Sequence, residues 1–234
     1  MIVPRSILIF CLGVCLQAAL VAAPESSMKL VWEDNFDGKA LDETKWTASS
    51  KTGVKLVDGQ LSLEITPGDK PMFWRGSSVN TNGKFKTAAY GYIEASILFV
   101  QTRGHGAGFS IGNEDKRNPS ASMGFSNAGG DAVTLSLGIV NEERGRSLTP
   151  KENPIPKGDY SKKFHKFGFA WTATDYRWYV DGRLVQKMTQ PGTTKPMVIG
   201  LSHNGLPEAG FLKTFNDPTK GPEPMRVDWV KVYQ

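Results

Sequence analysis

The sequence of 234 residues predicts an all-β fold, an antiparallel sandwich or barrel, on three observations. Short apolar-alternating runs recur along the chain, Asp-Gly pairs separate neighbouring runs, and the 3.6-residue period of an amphipathic helix is hard to find anywhere. Without helices to cover a parallel sheet, such strands pair antiparallel and bury one face.

Taken in order, Val54 to Leu56 and Leu61 to Ile65 flank Asp58-Gly59, a pair that suits a tight hairpin because glycine takes positive φ without steric cost. Tyr92 to Phe99 and Val133 to Val140 are two further alternating runs, and Phe164 to Thr172 is a third. Tyr176 to Val180 and Leu184 to Met188 flank the second hairpin pair, Asp181-Gly182; Met197 to Leu201 and Val227 to Tyr233 complete the set. Gly145 to Tyr160, with three prolines and many charges, reads as a long loop on one rim of the sheet. No repeat of fixed period is visible, which argues against a propeller or β-helix.

The N-terminus reads as an export leader. Arg5 precedes an apolar run from Ile7 to Leu16, and Val21-Ala22-Ala23 supplies small residues for cleavage, so residues 1–23 are expected to be removed and one domain, 24–234, to remain. The alternative is retention as an anchor or lipidation at Cys15. Both cysteines, Cys11 and Cys15, lie in this leader, so the mature domain is expected to have no disulfide, zinc–thiolate site or cysteine nucleophile. The formal charge of +5 is mild and scattered, which makes nucleic acid a poor partner. The expected protein is a secreted, periplasmic or cell-surface monomer, free of the membrane once the leader is cut.

Four segments carry a resemblance that composition cannot give. Leu30-Val31-Trp32-Glu33-Asp34-Asn35-Phe36-Asp37-Gly38, with Leu41-Asp42 and Lys45-Trp46, opens the series. Gly83-Lys84-Phe85 to Tyr90-Gly91-Tyr92-Ile93-Glu94-Ala95 follows, then Phe164-His165 to Trp171-Thr172 with Arg177-Trp178-Tyr179-Val180-Asp181-Gly182, and finally Met225 to Tyr233. In this order they resemble glycoside hydrolase family 16, the laminarinase and lichenase family. The resemblance implies a concanavalin A-like, antiparallel two-sheet jelly roll whose concave face binds glycan. It also implies retaining hydrolysis by a strand reading Glu-x-Asp-x-(x)-Glu, in which one glutamate attacks the anomeric carbon and another protonates the leaving oxygen.

That strand is where the sequence departs from the family. Gly106-Ala107-Gly108-Phe109-Ser110-Ile111-Gly112 stands for the run that precedes it, so the signature falls near Ser120-Ala121-Ser122-Met123-Gly124-Phe125-Ser126, which contains no carboxylate. Nor are any two acidic residues in the chain separated by a single residue, so the motif is absent rather than shifted. Glu114, Asp115, Asp131, Glu142 and Glu143 remain near the expected cleft, but adjacent residues on a strand point to opposite faces and make poor pairs. Glu94 lies where the resemblance usually has a glutamate, and Ser96 where it often has arginine. His105 and His203 read as cleft-side loop residues without triad or metal spacing.

Sugar rings stack on aromatic faces while their hydroxyls take polar partners. Candidate binding residues are therefore Trp74, Arg75, Tyr92, Phe109, Trp178 and Asn204, with Trp74 favoured for its loop-like setting; Trp32, Trp171 and Trp229 read as core. No cofactor is required, although the resemblance implies a structural calcium at Asp228 on the convex side. Three functions are consistent with the residues: a β-glucan or galactan binder without catalytic carboxylates, a glycosidase or lyase with relocated acids, or an interaction sandwich without sugar affinity.

Overall fold

A computed structural model describes residues 27–69, 74–87, 89–102, 104–112, 120–126, 134–135, 138–141, 146–148, 158–189, 196–205 and 223–234. The leader 1–23 and the carboxylates Glu114, Asp115, Asp131, Glu142 and Glu143 lie outside them, as do Pro71 to Phe73.

The described chain is built from strands. Sheet I contains β1 (Leu30–Asp34), β3 (Val54–Val57), β4 (Gln60–Leu63), β8 (Gly91–Leu98), β14 (His165–Trp171), β15 (Asp175–Val180), β16 (Arg183–Thr189) and β18 (Met225–Tyr233). Its order is β16-β15-β14-β8-β18-β4-β3, with β1 also on β18. Sheet II contains β2 (Thr47–Ala48), β7 (Ser77–Asn80), β9 (His105–Gly112), β10 (Ser120–Ser126), β11 (Thr134–Leu135), β12 (Gly138–Asn141), β13 (Arg146–Leu148) and β17 (Val198–Gly205). Here the order is β13-β12-β10-β9-β17-β7-β2, with β11 on β10. A small ribbon pairs β5 (Thr66–Pro67) with β6 (Trp74–Arg75). Every pairing is antiparallel, as the two-sheet sandwich requires.

Both predicted hairpins form. Asp58 and Gly59 have φ of 53° and 72°, Asp181 and Gly182 of 49° and 75°, the doubly left-handed turn that matches the twist of its flanking strands. The Asp181 carboxylate then accepts the Lys166 backbone N–H at 3.0 Å, which ties the turn to β14.

The core lies between the inner faces. Ile93, Ala95 and Ile97 of β8, with Phe167, Phe169 and Trp171 of β14, meet Phe109 and Ile111 of β9 and Ile199 and Leu201 of β17, all essentially without exposure. Each large side chain among them contributes about 1.5–3 kcal/mol by leaving water. Two sequence expectations change here. The run Val133 to Val140 is represented by two strands, β11 and β12, and the expected loop from Gly145 contains strand β13.

Candidate functional site

The functional surface follows from strand parity. In β9, His105, Ala107, Phe109 and Ile111 are buried in the core, so Gly106, Gly108, Ser110 and Gly112 form the outer face. The antiparallel register extends that face in rows across sheet II. One row runs Thr47, Asn80, Gly200, Ser110, Ser122, Gly138. The next runs Ser78, Ser202, Gly108, Gly124, and a third Asn204, Gly106, Ser126. On this face, the floor of the site, β2, β7, β9 and β17 place threonine, asparagine, serine and glycine, and the positions that β10 and β12 pair into the same rows are serine and glycine, none of them ionisable. β10, the run where the resemblance led us to expect the signature, is in register with β9 from Ala121↔Ile111 to Ser126↔Gly106 and contains no carboxylate.

The positions in these rows can exchange hydrogen bonds with sugar hydroxyls, and none of them is a carboxylate or histidine. His203 belongs to the opposite, buried face of β17 and so does not face the serines of these rows.

Three of the candidate residues gather at one end of the floor. Asn204 is exposed at the end of β17, and Trp74 and Arg75 form β6 beside it. Gly76 explains the closeness: a Cβ there would lie 2.7 Å from the His203 carbonyl oxygen and collide with the Asn204 amide, so only glycine lets the ribbon seat against β17. Trp74 is half-buried, which leaves part of its ring in solvent, and Arg75 forms an ion pair with Asp69.

The other three candidates are corrected by the structure. Phe109 and Trp178 are wholly buried on inner faces, where parity turns them into the core and away from any glycan. Tyr92 faces outward from sheet I, the wrong sheet, and is buried there against Ala170 and Tyr179. Its hydroxyl donates to the buried Glu94 carboxylate at 2.8 Å, and its ring lies over Gly168. Trp229, read as core, is a member of neither hydrophobic cluster.

The histidines are strand residues, not loop residues. His105 and His203 stack with centroids 5.1 Å apart, and His105 Nδ1 lies 2.9 Å from His203 Nε2. His203 Nδ1 is 2.9 Å from the Leu63 carbonyl oxygen, which can only accept, and 3.4 Å from the Met225 backbone N–H; the shorter contact puts the proton on Nδ1, so Nε2 accepts from His105. The pair thus fastens β9 and β17 to β4 across the sandwich. Burial holds both imidazoles neutral and depresses their pKa values to about 4, with the neighbouring His203 adding to the effect on His105.

Asp228 occupies the bulge between Val227 and Trp229 in β18. It belongs to no group of three or more His, Cys, Asp or Glu side chains among the described residues. Calcium there would have to complete its six to eight oxygen ligands from backbone carbonyls and water.

The model of Glycosyl hydrolases family 16 matches residues 41–231. The chain belongs to this family. It is 28% identical over 175 residues to an endo-1,3-1,4-beta-glycanase, ExoK, of Rhizobium meliloti (strain 1021), covering 68% of this chain and 62% of that one. Among solved structures, the endo-beta-1,3(4)-glucanase SCLam superposes with a TM-score of 0.73 at 18% identity, over 89% and 92% of the two chains. The endo-beta-1,3-glucanase of Pyrococcus furiosus does so with 0.71 at 21%, over 88% and 94%. The chain spans 23% to 62% of the length of the curated relatives it matches. The family's sandwich is therefore present.

The sequence missed Ser78, Asn80, Ser110 and Ser202 as floor residues. Short polar residues between buried neighbours do mark an outer face, but only the strand register shows which of the two outer faces they share.

Proposed function

We propose that this protein is a non-hydrolytic member of glycosyl hydrolases family 16 that binds a β-glucan or a related galactan-type polysaccharide along the outer face of sheet II. One observation carries the reading: the strand in the signature position contains no carboxylate, and it is paired into a floor whose other strands contribute none. Retention needs two carboxyls about 5–5.5 Å apart, one at the anomeric carbon and one at the leaving oxygen. Without them neither the glycosyl intermediate nor leaving-group protonation is available. Binding does not need them, since Asn80, Ser110, Ser202 and Asn204 can meet hydroxyls while Trp74 offers an aromatic edge.

The names of the relatives, which are endo-glycanases, favour a second reading in which Glu114, Asp131 or Glu142 supplies a relocated pair. Affinity electrophoresis in laminarin, mixed-linkage glucan and agar separates the interaction readings from each other. Retardation weakened severalfold by Trp74→Ala and Asn204→Ala supports the binding floor, whereas no retardation in any gel leaves an interaction sandwich without sugar affinity. Export is proposed on the leader alone, and the N-terminal mass of the exported protein tests cleavage near Pro24.

A further inference from the structure

The outer face of sheet I carries charged and aromatic groups that the floor of sheet II lacks. Trp229 is half-buried yet packs into neither hydrophobic cluster. Its ring instead has the Lys231 ammonium 4.9 Å from its centroid and the Lys166 ammonium 5.9 Å from it. The register explains the meeting: Ser96 of β8 pairs with Trp229 on one side and Lys166 on the other, and its short, buried side chain lets both lean over it. The two ammonium groups are no more than 10.8 Å apart, the sum of their distances to the ring centre. Arg226 continues the same face along β18.

Asp228 lies beside Trp229 at the bulge, Asp181 bonds the His165 ring and the Lys166 backbone N–H, and the other neighbouring charges are paired. Lys187 and Arg177 share Asp175, Lys55 pairs with Glu64, and Glu94 is buried with the Tyr92 hydroxyl. Glu33 reaches Lys231 only at 3.8 Å, while Lys166 has no carboxylate within 4.0 Å among the described residues. An indole that holds two lysine heads in place reduces the conformational freedom they would lose on meeting an anion.

We propose that Trp229, Lys166, Lys231 and Arg226 form a second glycan site, for a polysaccharide bearing carboxylate or sulfate groups. It lies on the sheet opposite the floor and does not depend on the floor's occupancy. The cluster is too short for nucleic acid, which calls for an extended basic stripe, whereas acidic groups repeated along a sugar chain need only a local pair of cations.

Retention on immobilised polygalacturonate and on dextran sulfate tests the site, with laminarin as the neutral control; the two acidic matrices distinguish carboxylate from sulfate. Binding is expected at 50 mM salt and lost at 500 mM. Lys166→Gln and Lys231→Gln should each weaken it about two- to fivefold, while Trp74→Ala leaves it unchanged. Lys166 is exposed, so its variant tests the site even where Trp229→Leu disturbs folding. Failure to bind either matrix, or retention undiminished in the double lysine variant, overturns the proposal. Neither result bears on neutral glucan binding at the floor.

Discussion

The two sheets share one core but present outer faces of opposite character. Sheet I carries Glu94, Tyr92 and Tyr179 in a second, sealed cluster and surrounds it with ion pairs, whereas the rows of sheet II are reduced to small neutral residues. The difference teaches that an outer face can be packed into the fold, as on sheet I, or left as small polar positions that the packing does not use, as on sheet II. The alternation of buried residues in β9 and β17 needs no charged group on their outer face.

The largest effect is expected from the interior that both faces share. His105 and His203 have pKa values near 4 in the fold, below the ordinary 6.5, so the unfolded chain binds more protons between those values. The histidine contribution should be complete above about pH 6.5 and lost as pH drops toward 4, below which the carboxylates Asp159 and Asp175, held under their ordinary pKa, at Asp175 against its burial, by ion pairs, continue the decline. The histidine part of the loss is on the order of a few kcal/mol. Thermal melts across this window check it, and His105→Gln should make the slope shallower; an unchanged slope would contradict the assignment.

The same substitution on each face sharpens the contrast. In Gly168→Ala the new Cβ would lie 2.7 Å from the buried Tyr92 ring, which cannot move aside, and a loss of about 2–3 kcal/mol, or about 5–10 °C in Tm, is expected. In Gly200→Ala the nearest atom is the Ser110 hydroxyl at 2.8 Å, which can rotate, so Tm should change by only about 1–2 °C. Equal losses would mean that the two faces are packed alike.

Glu94→Ala should cost about 1–3 kcal/mol because it strands a buried hydroxyl, and Glu94→Gln should recover most of that by keeping an acceptor. Denaturant melts of the two variants decide it.

The two hairpins and the inner-face strands were legible in the sequence because burial imposes period two and positive φ selects Asp-Gly. β9 and β10 do alternate, Ala107, Phe109 and Ile111 against glycine and serine in one and Ala121, Met123 and Phe125 against serine and glycine in the other, but glycine and serine are also turn residues, and the runs were located by the family resemblance rather than by their period. Phe109 and Trp178 were misplaced for a related reason. Aromatic identity does not reveal which face a residue takes, and a register shift of one residue would have exchanged core for floor. Trp74 and Arg75 were proposed from a run that reads as a loop and Asn204 from its amide; the structure sets them beside one another, and Gly76 shows why they meet.

The smallest effect concerns the metal. Calcium at Asp228, held by one carboxylate, is expected to raise Tm over chelator by only about 1–2 °C, an increase lost in Asp228→Asn. Equal melting temperatures with and without chelator would remove calcium from the account.

The most direct test of the central claim is release of reducing ends from laminarin, mixed-linkage glucan and agarose during prolonged incubation with purified protein across pH 4.5 to 8. Loss of general acid–base assistance alone lowers rates by about 10²–10⁴-fold, and loss of the nucleophile removes the covalent route. The account predicts no release above a protein-free control, in preparations whose electrophoretic retardation by glucan demonstrates a folded floor. Release that disappears in Glu114→Gln, Asp131→Asn or Glu142→Gln would contradict it and identify the relocated carboxylate.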